Sequence, residues 1–312
     1  MIECLPNEIL IEIFQYLNAR CVYQAFYNLN QRLTNLLDSL THLYLELRPN
    51  ENNKYDYLFT SRIQTLIVHN HAQFCLVNYP NLHRLILYNS KDEQISQLFI
   101  DGLQLTSISL ISPRCFYSTF ILHEKIFSNQ YPCLKSSYLT NVYSPSNEIR
   151  QLSWNQCLSL QYLRISSHDS LIHIAILNAC PNLYSLDLCL LNQFDPTPIQ
   201  SIRIHDKLKR LKFQLKQTIS HANEIDLFES FFSLLPNLEL LSLQCSTNCL
   251  SKIFSFDTFA MILQQKCTYL KVFRLSLHLS TQQTKPILCQ LKENFQKMFS
   301  SYQYSSFDII HM

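Results

Sequence analysis

The sequence predicts an α/β protein with a short helical N-terminus over residues 1–40 and a solenoid of parallel strands with helical returns over 41–285. A capping helix and tail follow over 286–312. Three observations carry that expectation. A phrase of spaced apolar residues keeps returning after residue 40. The longer segments between its copies carry apolar residues at helical rather than strand spacing. The first 17 residues hold one amphipathic stretch with a proline and an acid near its start.

That first stretch reads Leu5-Pro6-Asn7-Glu8-Ile9-Leu10-Ile11-Glu12-Ile13-Phe14-Gln15-Tyr16-Leu17. Pro6 suits the first helical position, where a missing N–H costs nothing. Glu8 and Glu12 lie toward the positive end of the helix dipole. Ile9, Leu10, Ile13, Phe14 and Leu17 then recur as one broad apolar face. So short a helix cannot hold this face in water alone. It must bury it against the rest of its own chain, or against another chain.

Leu5, Pro6, Glu8, Ile9, Leu10, Ile13, Phe14 and Leu17, with the continuation to about residue 40, resemble the F-box. In that family a Leu-Pro-x-Glu-Ile/Leu-Leu start opens the first of three small helices. One position departs from the pattern: many F-boxes carry a Trp after a basic residue in the third helix, and here Leu33 follows Arg32.

The strand phrase is an apolar residue, two others, an apolar residue, one other, an apolar residue. It stands at Leu40-Leu43-Leu45, Ile63-Leu66-Val68, Leu82-Leu85-Leu87 and Leu105-Ile108-Leu110. It returns at Leu160-Leu163-Ile165, Leu183-Leu186-Leu188, Leu208-Leu211-Phe213, Leu238-Leu241-Leu243 and Leu270-Phe273-Leu275. Pro80, Pro132, Pro181 and Pro236 each stand two residues before a first apolar position. Cys157, Cys180 and Cys267 each stand three before one, a fixed phase that points to packing. Helical returns are expected around Leu171–Ile176, Ile225–Leu235 and Phe259–Leu263, and Ile287, Leu288, Leu291, Phe295 and Met298 give the capping helix. Between 112 and 156 the register is ambiguous, with Leu134-Ser137-Leu139 and Ile149-Leu152-Trp154 competing for one strand.

Such a phrase resembles the leucine-rich repeat, in which each unit buries its apolar face only by stacking on its neighbours. The resemblance implies an irregular horseshoe with parallel strands on the concave face and helices on the convex side. The family's Asn or Cys, three residues after the third leucine, is replaced by His71, Ser90, Pro113, His168, Leu191, Lys216 and Ser246. No side-chain ladder is therefore expected.

Composition narrows the function. Gly102 is the single glycine, which excludes phosphate-cradling loops, dinucleotide turns and the nucleophile elbow. A net charge of +2 is too small and dispersed for a nucleic-acid groove. The opening 14 residues carry acids and no basic residue, unlike a secretory leader, and no apolar run reaches the length of a membrane span. The 12 cysteines then read as free thiols of a reducing compartment, cytoplasmic or nuclear. Cys245 and Cys249 lack the second pair a zinc site needs. His205-Asp206 shows no triad spacing. No cofactor, metal or catalytic residue is expected.

Residues between the leucines point away from the core. Among them Arg84, Tyr88, Tyr162, Arg164, Arg210, Lys212 and Arg274 are candidates for holding a partner, because Arg and Tyr are enriched at binding hot spots. The joint resemblance, F-box and leucine-rich repeats, implies a substrate receptor of an SCF-type ubiquitin ligase. Leu5, Pro6, Ile9, Leu10, Ile13, Phe14 and Leu17 would then meet a Skp-type adaptor on its cullin scaffold, and the repeats would hold a protein target. The alternative is an interaction scaffold, with no catalysis, whose first helix packs on its own repeats.

Overall fold

The computed structural model describes residues 4–51, 56–70, 72–100, 102–115, 117–142, 154, 156–167, 172–190, 204–215, 224–246, 256–279, 293, 296 and 304–311. The chain forms two compact units, one of Met1–Lys125 with Gln130–Tyr138, the other of Ile126–Asn129 with Leu139–Met312. It is a mixed α/β protein whose described strands pair in parallel.

The first unit opens with α1 (Asn7–Gln15), α2 (Ala19–Phe26) and α3 (Gln31–Ser39). Asn18 caps α2 by accepting from the Arg20 amide at 3.0 Å, and Asn30 caps α3 by accepting from the Leu33 amide at 2.8 Å. Pro6 is the cap of α1 rather than its first helical residue, and its carbonyl accepts from the Leu10 amide. A proline serves there because the cap's carbonyl, not its N–H, is what the helix uses. Behind the helices, the buried Arg20 makes a two-point contact with Asp56, at 3.1 and 2.7 Å, and also pairs with Glu51. This contact ties α2 to the segment after the first strand.

Strands β1 (Leu43–Leu47), β2 (Ile63–His69), β3 (Arg84–Tyr88) and β4 (Ser107–Ile111) follow in chain order. Short helix α4 (Asp92–Ser96) returns between β3 and β4. Helix α5 (Tyr117–Phe127) and strand β5 (Ser136–Val142) come next. β5 carries the Leu134-Ser137-Leu139 phrase, with Ser137 buried in a leucine's place. Trp154 stacks on Phe127 of α5, with ring centroids 4.5 Å apart. Residues 149–153 lie outside the described set.

In the second unit β6 (Tyr162–Ser167), β7 (Ser185–Leu190), β8 (Arg210–Leu215), β9 (Leu240–Ser246), β10 (Val272–Leu279) and β11 (Tyr304–His311) also follow chain order. Helices α6 (Ile172–Ala179), α7 (Glu224–Ser233) and α8 (Phe256–Lys266) stand where helical returns were expected. Phe231 of α7 meets Phe213 of β8 at 6.3 Å, and Phe259 of α8 meets Phe273 of β10 at 6.1 Å, so these helices cover the leucine face. β11 pairs with β10 along its whole length, where the sequence suggested only a tail. The expected capping helix falls on residues outside the described set, apart from 293 and 296.

Strands β3, β5, β7 and β9 are each led in by a tight turn with a fixed chemistry. Leu82, Leu134, Leu183 and Leu238 donate back to Tyr79, Tyr131, Cys180 and Leu235, leaving the four repeat prolines at the second turn position. Proline pre-sets the φ that position needs. The next residue is Asn at 81, 182 and 237, and its amide donates to the preceding unit's carbonyl at Ser61, Leu158 and Asp206, at 2.7, 2.7 and 2.8 Å. Each acceptor lies two residues before a first apolar position, so these asparagines staple consecutive units at one phase.

The strands end on a second device. Asn70, Asn89 and Ser112 take left-handed backbone with φ of 49°, 49° and 53°. Asn tolerates that region better than most residues. The Asn89 side chain donates to Asn70 at 3.0 Å. A short ladder therefore exists, one residue earlier than the position at which the family pattern places it.

Candidate functional site

The apolar residues of α1 divide into two sets. Leu10 and Phe14 are fully buried, Phe14 packing its ring 4.9 Å from Phe26 of α2. Neither is at the surface where the adaptor reading would put it; both hold the helices together. Ile9, Ile13 and Leu17, four residues apart, remain 43%, 37% and 39% exposed, and Tyr16 beside them is 77% exposed. Pro6 is exposed and Leu5 half-buried. A stripe wider than the core can use leaves its outer half in water, because apolar positions at i, i+1, i+4 and i+5 span more of the helix than one neighbour can cover.

α3 fixes where this stripe begins. Arg32 donates through Nε to the Asn7 side chain at 2.9 Å and through Nη2 to the Leu5 carbonyl. Leu33, at the position of the absent Trp, is fully buried under these contacts. Thus the basic residue is spent on orienting the start of α1, and the residue after it fills the core. Arg62 adds a clamp from β2's lead-in, bonding the Leu37 carbonyl and Asp38, each at 3.1 Å, and the Tyr23 hydroxyl.

The outward strand residues form the second surface. In the first unit Arg84 is exposed, and Tyr88 stacks flat on His69 with centroids 4.7 Å apart. His69 in turn meets Glu46 at 2.9 Å. In the second unit Tyr162, Arg164, Arg210, Lys212 and Arg274 share one sheet face, because the register aligns Arg164, Asp187, Lys212, Ser242 and Arg274 across five strands. Asp187 lies between two of the cations, 3.2 Å from Arg164 and 3.6 Å from Lys212. Sequence reading missed this compensation, since it depends on β6, β7 and β8 lying side by side. Arg210 rests over the Tyr184 ring at 5.5 Å, and Tyr162 meets that ring edge-on at 5.9 Å. At the strand starts, hydrogen bonds from Lys209 and then Lys271 hold the Glu239 carboxyl below its ordinary range.

Among the described residues no group of three His, Cys, Asp or Glu side chains could hold a metal. No helix among them is long and apolar enough to cross a membrane. Burial pushes the Cys267 thiol up to about 12 and Cys115 up to about 11, so both are protonated at neutral pH. Cys157 and Cys180 differ: a hydrogen bond from Cys180 draws Cys157 down to about 6. His205 is a buried core residue whose Nε2 lies 2.7 Å from the Cys180 carbonyl, while its Nδ1 has no partner. Cys249 lies outside the described residues. A cleft of about 410 Å³ in the first unit is lined by Phe74, Lys91, Glu93, Gln94 and Gln97. Gln94 and Gln97 donate to the Ala72 and Phe74 carbonyls there and so brace the loop.

No known family model matches this chain, and no curated protein sequence matches it either.

Proposed function

We propose that this chain is the substrate-recognition subunit of an SCF-type E3 ubiquitin ligase. The N-terminal three helices act as an F-box that docks on a Skp-type adaptor and, through it, on the cullin scaffold. The strand series acts as an irregular leucine-rich-repeat solenoid that holds a protein target. The chain does no chemistry itself. It raises the effective concentration of its target near a ubiquitin-loaded enzyme. Its place is the cytoplasm or nucleus, where such ligases work.

The observation that supports this reading is the half-uncovered stripe of α1. Ile9 and Ile13 on α1, with Tyr16 and Leu17 just past its end, stay exposed on a helix already anchored by Leu10 and Phe14. Contiguous exposed apolar residues of this kind mark interaction sites. A preformed helix also costs little ordering on binding. Leu5 and Pro6 would extend the contact at the helix start, while Leu10 and Phe14 would support it from beneath.

Affinity mass spectrometry on the full chain, expressed with the ligase inhibited, tests the assignment. Recovery of a Skp-type adaptor and a cullin is the expected result. Recovery of partners without either would favour the plain interaction scaffold.

A further inference from the structure

The second unit's strand face has an uneven charge pattern, and its spacing defines a ligand. Alternation buries Leu163, Leu186, Leu211, Leu241 and Phe273 on one side. The residue after each, from Arg164 through Asp187, Lys212 and Ser242 to Arg274, forms a straight row on the other. Three of those five positions are cations, on alternate strands. Asp187 compensates the stretch between Arg164 and Lys212. Between Lys212 and Arg274 stands only Ser242. Arg210, the other outward cation of β8, adds its charge beside this gap. The outward positions of β8, β9 and β10 carry no acid among the described residues, although the whole chain holds 25 basic against 23 acidic residues.

We propose that this face binds an acidic protein segment whose anionic groups meet the cations of alternate strands, with Lys212 and Arg274, on either side of Ser242, as its uncompensated part. The inference rests on the reading of the strand face as the target-binding surface. Charge complementarity selects the occupant, and strand spacing selects its pattern. Neighbouring strands lie about 4.8 Å apart, so cations on alternate strands are about 10 Å apart. A polyproline II segment turns every three residues with a rise of about 3.1 Å, presenting every third side chain on one side at about 9 Å. Carboxylates or phosphates at every third residue therefore match Arg164, Lys212 and Arg274 together. The face favours a peptide over nucleic acid because its cations are few and set singly among Ser and Gln, whereas a phosphate track needs an unbroken basic stripe.

Fluorescence anisotropy with the full chain tests this. The probes are a labelled proline-rich peptide with aspartate at every third position, the same peptide with phosphoserine or with asparagine at those positions, one with its aspartates clustered at one end, and a poly-thymidine oligonucleotide. The aspartate and phosphoserine peptides are expected to bind, the tighter of the two naming the anion source, and the asparagine and clustered peptides to bind at least about ten-fold more weakly. Lys212→Gln and Arg274→Gln should each weaken binding about ten-fold. Lys271→Gln, on the compensated rim beside Glu239, should change it less than about two-fold. Equal binding of the aspartate and asparagine or clustered peptides, an Arg274→Gln protein that binds like wild type, or tighter binding of the oligonucleotide would overturn the proposal. Adaptor capture by the wild-type chain is measured alongside its peptide binding. Capture without peptide binding counts against this inference alone, and peptide binding without capture counts against the ligase reading alone.

Discussion

Helix α1 and strands β6–β10 treat their apolar residues in opposite ways. On the strands the repeated phrase is fully consumed: Leu163, Ile165, Leu186, Leu188, Leu211 and Phe213 are all buried. On α1 only Leu10 and Phe14 are, while Ile9 and Ile13, and Leu17 just past the helix end, stay in water. The difference is one of period. A side-chain period of two divides a strand cleanly into an inner and an outer face. A helix with adjacent apolar pairs has a stripe wider than its contact, and the surplus is available to a partner. An exposed aliphatic therefore means more on α1 than an exposed arginine means on a strand, where some polar residue must stand outward in any case.

The comparison can be broken most forcefully at the core of α1. Phe14→Ala should cost about 3–5 kcal/mol, whereas Ile9→Ala should cost less than about 1 kcal/mol, read from denaturant midpoints at unchanged slope. Equal losses would mean that the two halves of the stripe are not distinct. Acid provides the next largest effect, on α5 rather than α1. Burial lowers His123 from the ordinary 6.5 to about 3, so between these values the unfolded chain binds a proton that the folded chain refuses. Stability should thus fall as pH drops through that window, by about 1.4 kcal/mol per unit once well below 6.5. A thermal-melt series should show His123→Gln flattening this slope, and an unchanged slope would remove His123 as its source.

Smaller effects test the repeat. Asn182→Ala removes the amide that donates to Leu158 in the preceding unit, and should cost about 1–2 kcal/mol. Asn81→Ala should match it, since Asn81 makes the same contact to Ser61 in the first unit. A large disparity would mean that the turn phase is not a repeated structural element. Arg32→Met removes both contacts that hold the start of α1, and should lower the hydrogen-exchange protection of the first bonded amide of α1, that of Leu10, by about ten-fold while leaving α2 and α3 unchanged.

The strands were legible because leucine spacing reports burial directly, and α6, α7 and α8 because their apolar residues switch period between phrases. α5 was not, since Leu122, Ile126 and Phe127 sit where no phrase sets the frame. The Asn70–Asn89 ladder was missed because it stands one residue before the family's position. The asparagines of the lead-in turns stand in plain view as Pro80-Asn81, Pro181-Asn182 and Pro236-Asn237, yet an asparagine beside a proline suits any turn, and its reach to the preceding unit shows only in the fold. Nothing local to Arg164 or Lys212 announces Asp187, because the ion pairs depend on strand order. The division of α1 was hidden for a similar reason: a hydrophobic face shows which residues could be buried, and only the neighbours decide which of them are.

Calorimetric titration of a purified Skp-type adaptor into the full chain tests most directly whether the outer half of that face is a docking surface. Wild type should bind, and an Ile9→Asp, Ile13→Asp double variant with an unchanged melting temperature should bind at least about a hundred-fold more weakly. Equal affinity of the two proteins, or no binding by wild type, would contradict the account.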